Sequence, residues 1–167
     1  IIMLTYNALG FTKKCIKSIF QNTKCSYEII FVDNASSDGT VEYLNSLINN
    51  TNHKLIINKK NLGFSKGNNI GVKHASGKYV MLLNNDTLVP LGWEKSLMHS
   101  IEKDSSIGAV GPLSNSISGR QMIEVDYTDV KDFDSYAIKH RDIYRNLLTP
   151  RRRLAGFAIL ISKKLYN

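Results

Sequence analysis

The sequence predicts an α/β fold, a mostly parallel β-sheet flanked by helices. Three observations lead to it. Short apolar runs of strand length alternate with stretches whose apolar residues recur at helical spacing. The order β-α-β-α-β favours parallel strands joined by crossover helices on both faces. The run 78–83, Lys-Tyr-Val-Met-Leu-Leu, is nearly all apolar, as expected of a central strand covered on both sides.

Taken in order, residues 1–5 read as a strand. Residues 10–22 form a helix with Phe11, Cys15, Ile16, Ile19 and Phe20 on one face. Residues 27–33 are a second strand ending in Asp33. A helix carrying Val41, Leu44, Leu47 and Ile48 follows, with Ser37 or Asp38 as its cap. Residues 54–58 are a third strand, 65–75 a helix stopped at Gly77, and 78–83 the fourth strand. Pro90 opens a helix to about Lys103, a favoured place for proline. Residues 107–111 are a fifth strand. The alternation then breaks: 112–130 is polar and reads as a loop, 133–148 as a helix, 149–153 as a turn, and 154–161 as a last strand.

With 167 residues, the chain fits one domain. Hydrophobic residues make up 43% and charged residues 22%, which argues against disorder. The formal net charge of +8 suits an anionic partner, whether a phosphorylated small molecule, a membrane surface or nucleic acid. Cys15 and Cys25 form no C-x-x-C pair and have no histidine at zinc spacing, so they read as free thiols of a reducing compartment. No apolar run approaches the ~20 residues that span a bilayer. Ile1-Ile2-Met3-Leu4 already reads as a buried strand, so residues are expected to precede it.

Ligands of open parallel sheets bind beyond the C-terminal ends of the strands. Four consecutive strand ends here carry hydrogen-bonding side chains and short turns: Thr5-Tyr6-Asn7, 33–40 (Asp-Asn-Ala-Ser-Ser-Asp-Gly-Thr), 61–64 (Asn-Leu-Gly-Phe) and 84–87 (Asn-Asn-Asp-Thr). Any one alone reads equally well as a turn. Asp33 resembles the acid that holds a ribose in dinucleotide folds, but no G-x-G-x-x-G follows the first strand. Asp86 directly follows a buried strand, where a carboxylate is costly unless paired or metal-bound. It could serve Mg²⁺ or Mn²⁺, which take few carboxylates plus phosphate oxygens and water; otherwise it caps the next helix. Residues 63–67 match G-x-S-x-G, yet 58–61 reads as a loop where a nucleophile elbow needs a strand. Arg151-Arg152-Arg153 could grip phosphates or an anionic headgroup, or be a solvated loop. His53, His74, His99 and His140 show no ligand spacing.

Together these motifs resemble the inverting family 2 glycosyltransferases of the GT-A fold, a Rossmann-like architecture, especially the bacterial rhamnosyltransferase-like branch. The resemblance is carried by 4–7, 28–40, 61–71, 77–80, 83–87, 90–93 and 107–112, and so covers nearly the whole chain. It implies that Thr5, Tyr6, Asp33 and Asn34 hold the nucleoside base and ribose, with Asn7 beside them. Asn61, Gly63 and Asn69 line the base side of the pocket. Asn84, Asn85 and Asp86 occupy the D-x-D position, with Asp86 on a divalent metal. The family often has an acid where Asn84 stands, and a second acid at Asn34.

The resemblance further implies a UDP-, dTDP- or GDP-linked sugar donor, a glycan or lipid-linked acceptor, and no nucleic-acid partner. It implies a cytoplasmic protein with peripheral contact at the inner membrane face. In the family a segment like 154–164 precedes the acidic motif supplying the catalytic base, so that base is expected beyond Asn167. The chain is therefore expected to be one GT-A domain over 1–167, incomplete at the C-terminus and a few residues short at the N-terminus. The rival readings are a nucleotidyltransferase, a non-catalytic nucleotide-sugar-binding module and, third, a nucleic-acid binder, whose binding should weaken steeply with salt.

Overall fold

The computed structural model describes residues 1–145 and 147–166. Its sheet contains β1 (Ile2–Thr5), β2 (Ile30–Asp33), β3 (Lys54–Ile57), β4 (Tyr79–Asn84), β5 (Ala109–Val110) and β6 (Ala158–Ser162). The helices are α1 (Leu9–Asn22), α2 (Thr40–Ile48), α3 (Phe64–Lys73), α4 (Trp93–Glu102) and α5 (Phe133–Ile143). Strand order is β3-β2-β1-β4-β6-β5. β1 to β4 run parallel, whereas β6 is antiparallel to both β4 and β5. The α/β fold with a mostly parallel sheet is therefore as the sequence predicts.

The pleat sorts the strand residues onto two cores. Met3, Phe31, Met81 and Leu83 join Cys15, Ile16 and Ile19 of α1, Leu44 of α2, and Trp93, Leu97 and Ile101 of α4. Their sequence neighbours Ile2, Ile30, Val32, Val80 and Leu82 point the other way, onto Val72 of α3. The α3 side is thin because Gly67 and Gly71, one helical turn apart, let the helix lie against the sheet. A Cβ on Gly67 would fall 2.3 Å from Leu4 Cδ1, and one on Gly71 2.4 Å from Ile2 Cγ2.

Several boundaries differ from the sequence reading. The α2 cap is Gly39, at φ 87°, rather than Ser37 or Asp38. The α4 helix starts at Trp93 behind Gly92 at φ 73°, so Pro90 lies in the approach to the helix and not at its first position. In both cases a left-handed turn is needed, and glycine alone adopts it without a Cβ clash. The helix expected over 133–148 ends at Ile143; Asn146 in that stretch lies outside the described residues. The last strand starts at Ala158, four residues later than expected, with 154–157 leading into it. Within the expected loop 112–130, Ser114 and Met122 form an isolated bridge.

Candidate functional site

The topology brings the C-terminal ends of β1, β2, β3 and β4 to one edge, with β1 between β2 and β4. The chain leaves β1 for β2 on one side and reaches β4 on the other, so a crevice opens at this reversal. The centre of the edge is Asp33, fully buried at the end of β2. Its Oδ2 accepts hydrogen bonds from Thr5 Oγ1 at 2.9 Å and from Ser36 Oγ at 2.5 Å, and its Oδ1 accepts from Ser36 N at 2.8 Å. A carboxylate offers about four acceptor positions. Three donors therefore satisfy most of its charge where water cannot.

From Asp33 the network spreads into the two neighbouring loops. Ser36 Oγ accepts from Asn7 N at 2.7 Å, and Asn7 Oδ1 accepts from Ser37 N at 2.8 Å. Asp38 closes the same contact from further along: its Oδ2 accepts from Leu9 N, and its Oδ1 from Thr40 Oγ1 and N. These bonds, that from the Thr40 hydroxyl foremost, hold the Asp38 carboxyl below its ordinary pKa. The backbone bends sharply to make them. Asn7, Ala8 and Ala35 have φ of 55°, 63° and 68°. A left-handed residue with a Cβ costs roughly 1–2 kcal/mol, so the surrounding bonds must over-determine these loops.

On the β3 side, Asn34 is buried and its amide is engaged at both ends. Nδ2 donates to Asn61 Oδ1 at 3.1 Å, and Oδ1 accepts from Asn58 Nδ2 at 2.9 Å. Asn61 Oδ1 also accepts from Gly63 N at 2.8 Å. Asn34, Asn61 and Gly63 thus form one cluster, with Gly63 at φ 76° starting α3. Tyr6, next in sequence to Thr5 of the Asp33 network, has 53% of its surface exposed.

The β4 side is looser. Asn85 Nδ2 donates to Thr12 Oγ1 of α1 at 2.9 Å, and the Asn84 carbonyl accepts from Cys15 Sγ and Thr87 N. Asp86 is exposed. The burial cost expected for its carboxylate therefore does not arise, because the turn lifts it off the strand into solvent. None of the ion pairs among the described residues includes it. Nor do three or more His, Cys, Asp or Glu side chains gather in a metal-binding group among the described residues.

Of the residues singled out from sequence, Thr5, Asn7, Asp33, Asn34, Asn61 and Gly63 are joined by direct or one-step hydrogen bonds. Asn84, Asn85 and Asp86 follow the adjacent strand. Asn69 is not part of the cluster: its Oδ1 accepts from Tyr166 OH, further along α3. The sequence reading gave no role to Ser36, Asn58 or Thr12, and read Asp38 only as a candidate helix cap. The first could have been found from the Asp-x-x-Ser spacing of a side-chain-capped turn. The serine-hydrolase alternative fails on position: β3 ends at Ile57, six residues before Gly63, and Ser65 is exposed on α3.

Beyond Asp86 the edge continues into an open groove of about 1160 Å³ between residues 87–92, α4, α5 and the segment 110–127. Its lining includes no residue of the Asp33 network.

The family model described as glycosyl transferase family 2 matches residues 1–166. The chain belongs to that family. The match spans all four strand ends of the candidate site. An uncharacterized glycosyltransferase of Haemophilus influenzae is 33% identical over 112 residues, covering 66% of this chain and 35% of its own length. Glycosyltransferase GlyA of Streptococcus pneumoniae is 28% identical over 171 residues, covering 100% of this chain and 24% of its own. The chain thus spans about a quarter to a third of these relatives. Among solved structures, the mannosyltransferase PcManGT of Pyrobaculum calidifontis, in complex with GDP-Man and Mn²⁺, superposes with TM-score 0.65. It shares 21% identity, over 98% of this chain and 44% of its own. TarS 1-349 of S. aureus in complex with UDP-GlcNAc gives 0.68 at 20% identity, over 98% and 45%. At such identities the likeness establishes the GT-A fold. No helix among the described residues of this family 2 chain is long and apolar enough to cross a membrane.

Proposed function

We propose that this chain is the donor-binding part of an inverting glycosyltransferase, one that passes a sugar from a nucleoside diphosphate to an acceptor hydroxyl. The observation that carries the reading is the Asp33 network, which locks the loops after β1 and β2 into a strained, pre-formed rim at the sheet's reversal. Thr5, Asn7, Asp33 and Asn34 form the floor for the base and ribose, Tyr6 offers its exposed ring, and Asn61 and Gly63 close the base side. Asn69, whose Oδ1 accepts from Tyr166, is the weakest member of the expected set. The rhamnosyltransferase-like branch named by the resemblance would use a deoxyhexose donor.

Asp86 fits a divalent cation in one respect and limits it in another. Its carboxylate is exposed and outside every described ion pair, but residues 84 and 85 of the D-x-D position are asparagines and add no second acid. That set suits Mn²⁺ or Mg²⁺ held by one protein carboxylate and completed by phosphate oxygens and water. Such a cation neutralises the charge that a diphosphate gains as it leaves. Asn84 and Asn85 act differently: half-buried, and tied through Asn85 to Thr12, they hold the turn that presents Asp86.

In the transfer step, the acceptor oxygen bonds to the anomeric carbon from the face opposite the diphosphate. The carbon–oxygen bond to the diphosphate breaks, and the diphosphate keeps the electron pair. A general base removes the hydroxyl proton. Among the acids of the site, Asp33 is buried and Asp38 is bonded to backbone and Thr40, so neither is free for this role. We assign the base to no residue of the described chain; the expectation that it lies beyond Asn167 falls outside the described residues. The acceptor is a glycan or lipid-linked glycan, and the net charge of +8 suits peripheral contact with an anionic membrane face.

Thermal unfolding with UDP, GDP and dTDP, with and without Mn²⁺, tests the reading. A ligand at 100 times its Kd adds about 2.7 kcal/mol, which for a domain of this size raises Tm by roughly 5–10 °C. One diphosphate is expected to give a metal-dependent shift that is lost in Asp86→Ala. Absence of any shift would remove the reading. Stabilisation by nucleoside triphosphates alone would favour a nucleotidyltransferase.

A further inference from the structure

The segment 154–157 forms a strap that the donor reading leaves without a role. It is half-buried and leads into β6. At its far end the Phe157 carbonyl accepts from Asn84 N, at the end of β4, at 2.8 Å. In its middle Gly156 lies against Phe64, the first residue of α3: a Cβ there would fall 3.2 Å from the ring's Cζ. Nearer its start, Ala155 N donates to Gln121 Oε1 at 2.6 Å. The same Gln121 amide donates through Nε2 to the Pro112 carbonyl, just after β5, at 2.7 Å. Gln121 is 7% exposed, so one buried side chain, 34 residues before Ala155, ties the strap to the residues that follow β5. Its surroundings are shaped to it. Ser114 N donates to its backbone carbonyl, and Gly111 leaves the room that its amide fills, since a Cβ there would fall 2.9 Å from Nε2. A side-chain amide suits the place because it donates and accepts at once without carrying charge.

We propose that Gln121 is a positioning residue of the donor site, setting the strap as the wall that meets the donor's sugar. The inference rests on the donor-binding reading and deepens it at that same crevice. Strand order carries the assignment. Along the edge the strands run β3-β2-β1-β4-β6. The nucleoside floor lies at the ends of β2 and β1, and Asp86, for the cation on the diphosphate, follows β4. The group attached beyond the diphosphate therefore falls on the β6 side, where the strap lies. Contact with Phe64 at the start of α3 holds the strap across the crevice. Gln121 does not touch the donor; it acts by fixing Ala155 and Gly156. Without its two bonds the strap keeps its anchor at Asn84 and loses its set position relative to Asp86.

Gln121→Met keeps the length of the side chain and removes both bonds. Amide hydrogen exchange followed by NMR should find the Ala155 N–H protected in the parent and unprotected in this variant. Calorimetry with Mn²⁺ then compares UDP with UDP-glucose, GDP with GDP-mannose and dTDP with dTDP-rhamnose. For the pair that binds the parent, the variant is expected to weaken the sugar conjugate about fivefold or more and to leave the bare diphosphate within about twofold. Gly156→Val keeps Gln121 and forces the strap off Phe64; it should give the same split, so the test survives if Gln121→Met folds poorly. A merely structural Gln121 would weaken both ligands alike. That result, or an unchanged affinity for the sugar conjugate, would overturn the proposal. So would an Ala155 N–H that exchanges freely in the parent. The two readings fail separately: diphosphate binding without the split defeats this inference alone, whereas a parent that binds no diphosphate defeats the donor reading on which it rests.

Discussion

Thr5 and Asp33 face each other in register at the ends of β1 and β2, and Thr5 Oγ1 donates a 2.9 Å hydrogen bond to Asp33 Oδ2. Both residues are buried, so this one contact belongs at once to the core and to the rim of the crevice. On the donor-binding proposal, stability and ligand binding are therefore coupled at Asp33.

Replacing Asp33 with alanine strands the Thr5 and Ser36 hydroxyls and the Ser36 N–H. Each buried group left without a partner costs about 1–3 kcal/mol. We expect Asp33→Ala to lose roughly 3 kcal/mol in urea unfolding, and Thr5→Val about 1 kcal/mol. A double-mutant cycle should show non-additivity above about 0.5 kcal/mol. Additive losses would mean that the two side chains are not coupled.

Asp86→Ala should behave in the opposite way. The side chain is exposed and outside every described ion pair, so unfolding free energy should stay within about 0.5 kcal/mol of the parent. Nucleoside diphosphate affinity in the presence of Mn²⁺ should fall at least tenfold by calorimetry. A large loss of stability in this variant would assign Asp86 a structural role instead.

Gly71→Ala tests the closeness of α3 to the sheet. The added Cβ would meet Ile2 Cγ2 at 2.4 Å and Val32 Cγ2 at 3.0 Å, both on stiff β-branched side chains. Overpacking costs about 1–3 kcal/mol, and the gain in helix propensity offsets up to about 1 kcal/mol. The expected result is a net loss of about 1–2 kcal/mol in chemical denaturation, from these two opposing contributions. A stabilised variant would show that α3 can move outward freely.

Acid should destabilise the far end of the sheet through Glu28 and His53. Burial alone would raise the Glu28 carboxyl, but hydrogen bonds from Ser76 Oγ and N and the Lys54 ammonium outweigh it and bring it down to about 2. Burial lowers His53, whose Nδ1 accepts from Ile29 N as a neutral ring must. Both groups bind fewer protons when folded than when unfolded, so stability rises with pH across each window. The His53 contribution is present above its ordinary value of 6.5 and fades as pH falls below it. The Glu28 contribution is present above 4.5 and is lost toward about 2. Glu28→Gln should flatten the lower limb of a Tm-against-pH curve and keep the upper limb, moved to lower pH because the Glu28 charge no longer raises His53.

The two thiols should differ in reactivity. Burial pushes Cys15 up to about 12, and raises Cys25 less, at a half-buried position. A thiolate is the reactive form. At pH 7.5 native protein should label with iodoacetamide slowly at Cys25 and not at Cys15, with both labelling rapidly in urea; mass spectrometry of the peptides reads this directly.

Much of the site was legible because its residues are local to strand ends. Asp33, Asn34, Asn61 and Asp86 each follow an apolar run by no more than a few positions, and a parallel sheet brings such ends to one edge by its topology. Ser36, Asn58 and Thr12 were not singled out, since their roles lie in which side chain they meet rather than in their spacing. Asn69 was assigned to the pocket by resemblance. Its partner, Tyr166, is 97 residues away in sequence, and no local pattern contains that pairing.

The sequence by itself determined the α/β alternation, the two-sided burial of β4 and the strand ends that carry the candidate site. Hydrophobic period and turn residues are properties of short segments, and they survive without knowledge of the fold. Only the tertiary structure decided that β6 enters antiparallel beside β4, and that Asp86 stands in solvent. It alone formed a groove from α4, α5 and the 110–127 segment. Strand direction depends on how a long connection returns, a side chain's exposure on what covers it, and a cavity on distant segments meeting; each is set by packing across the whole chain.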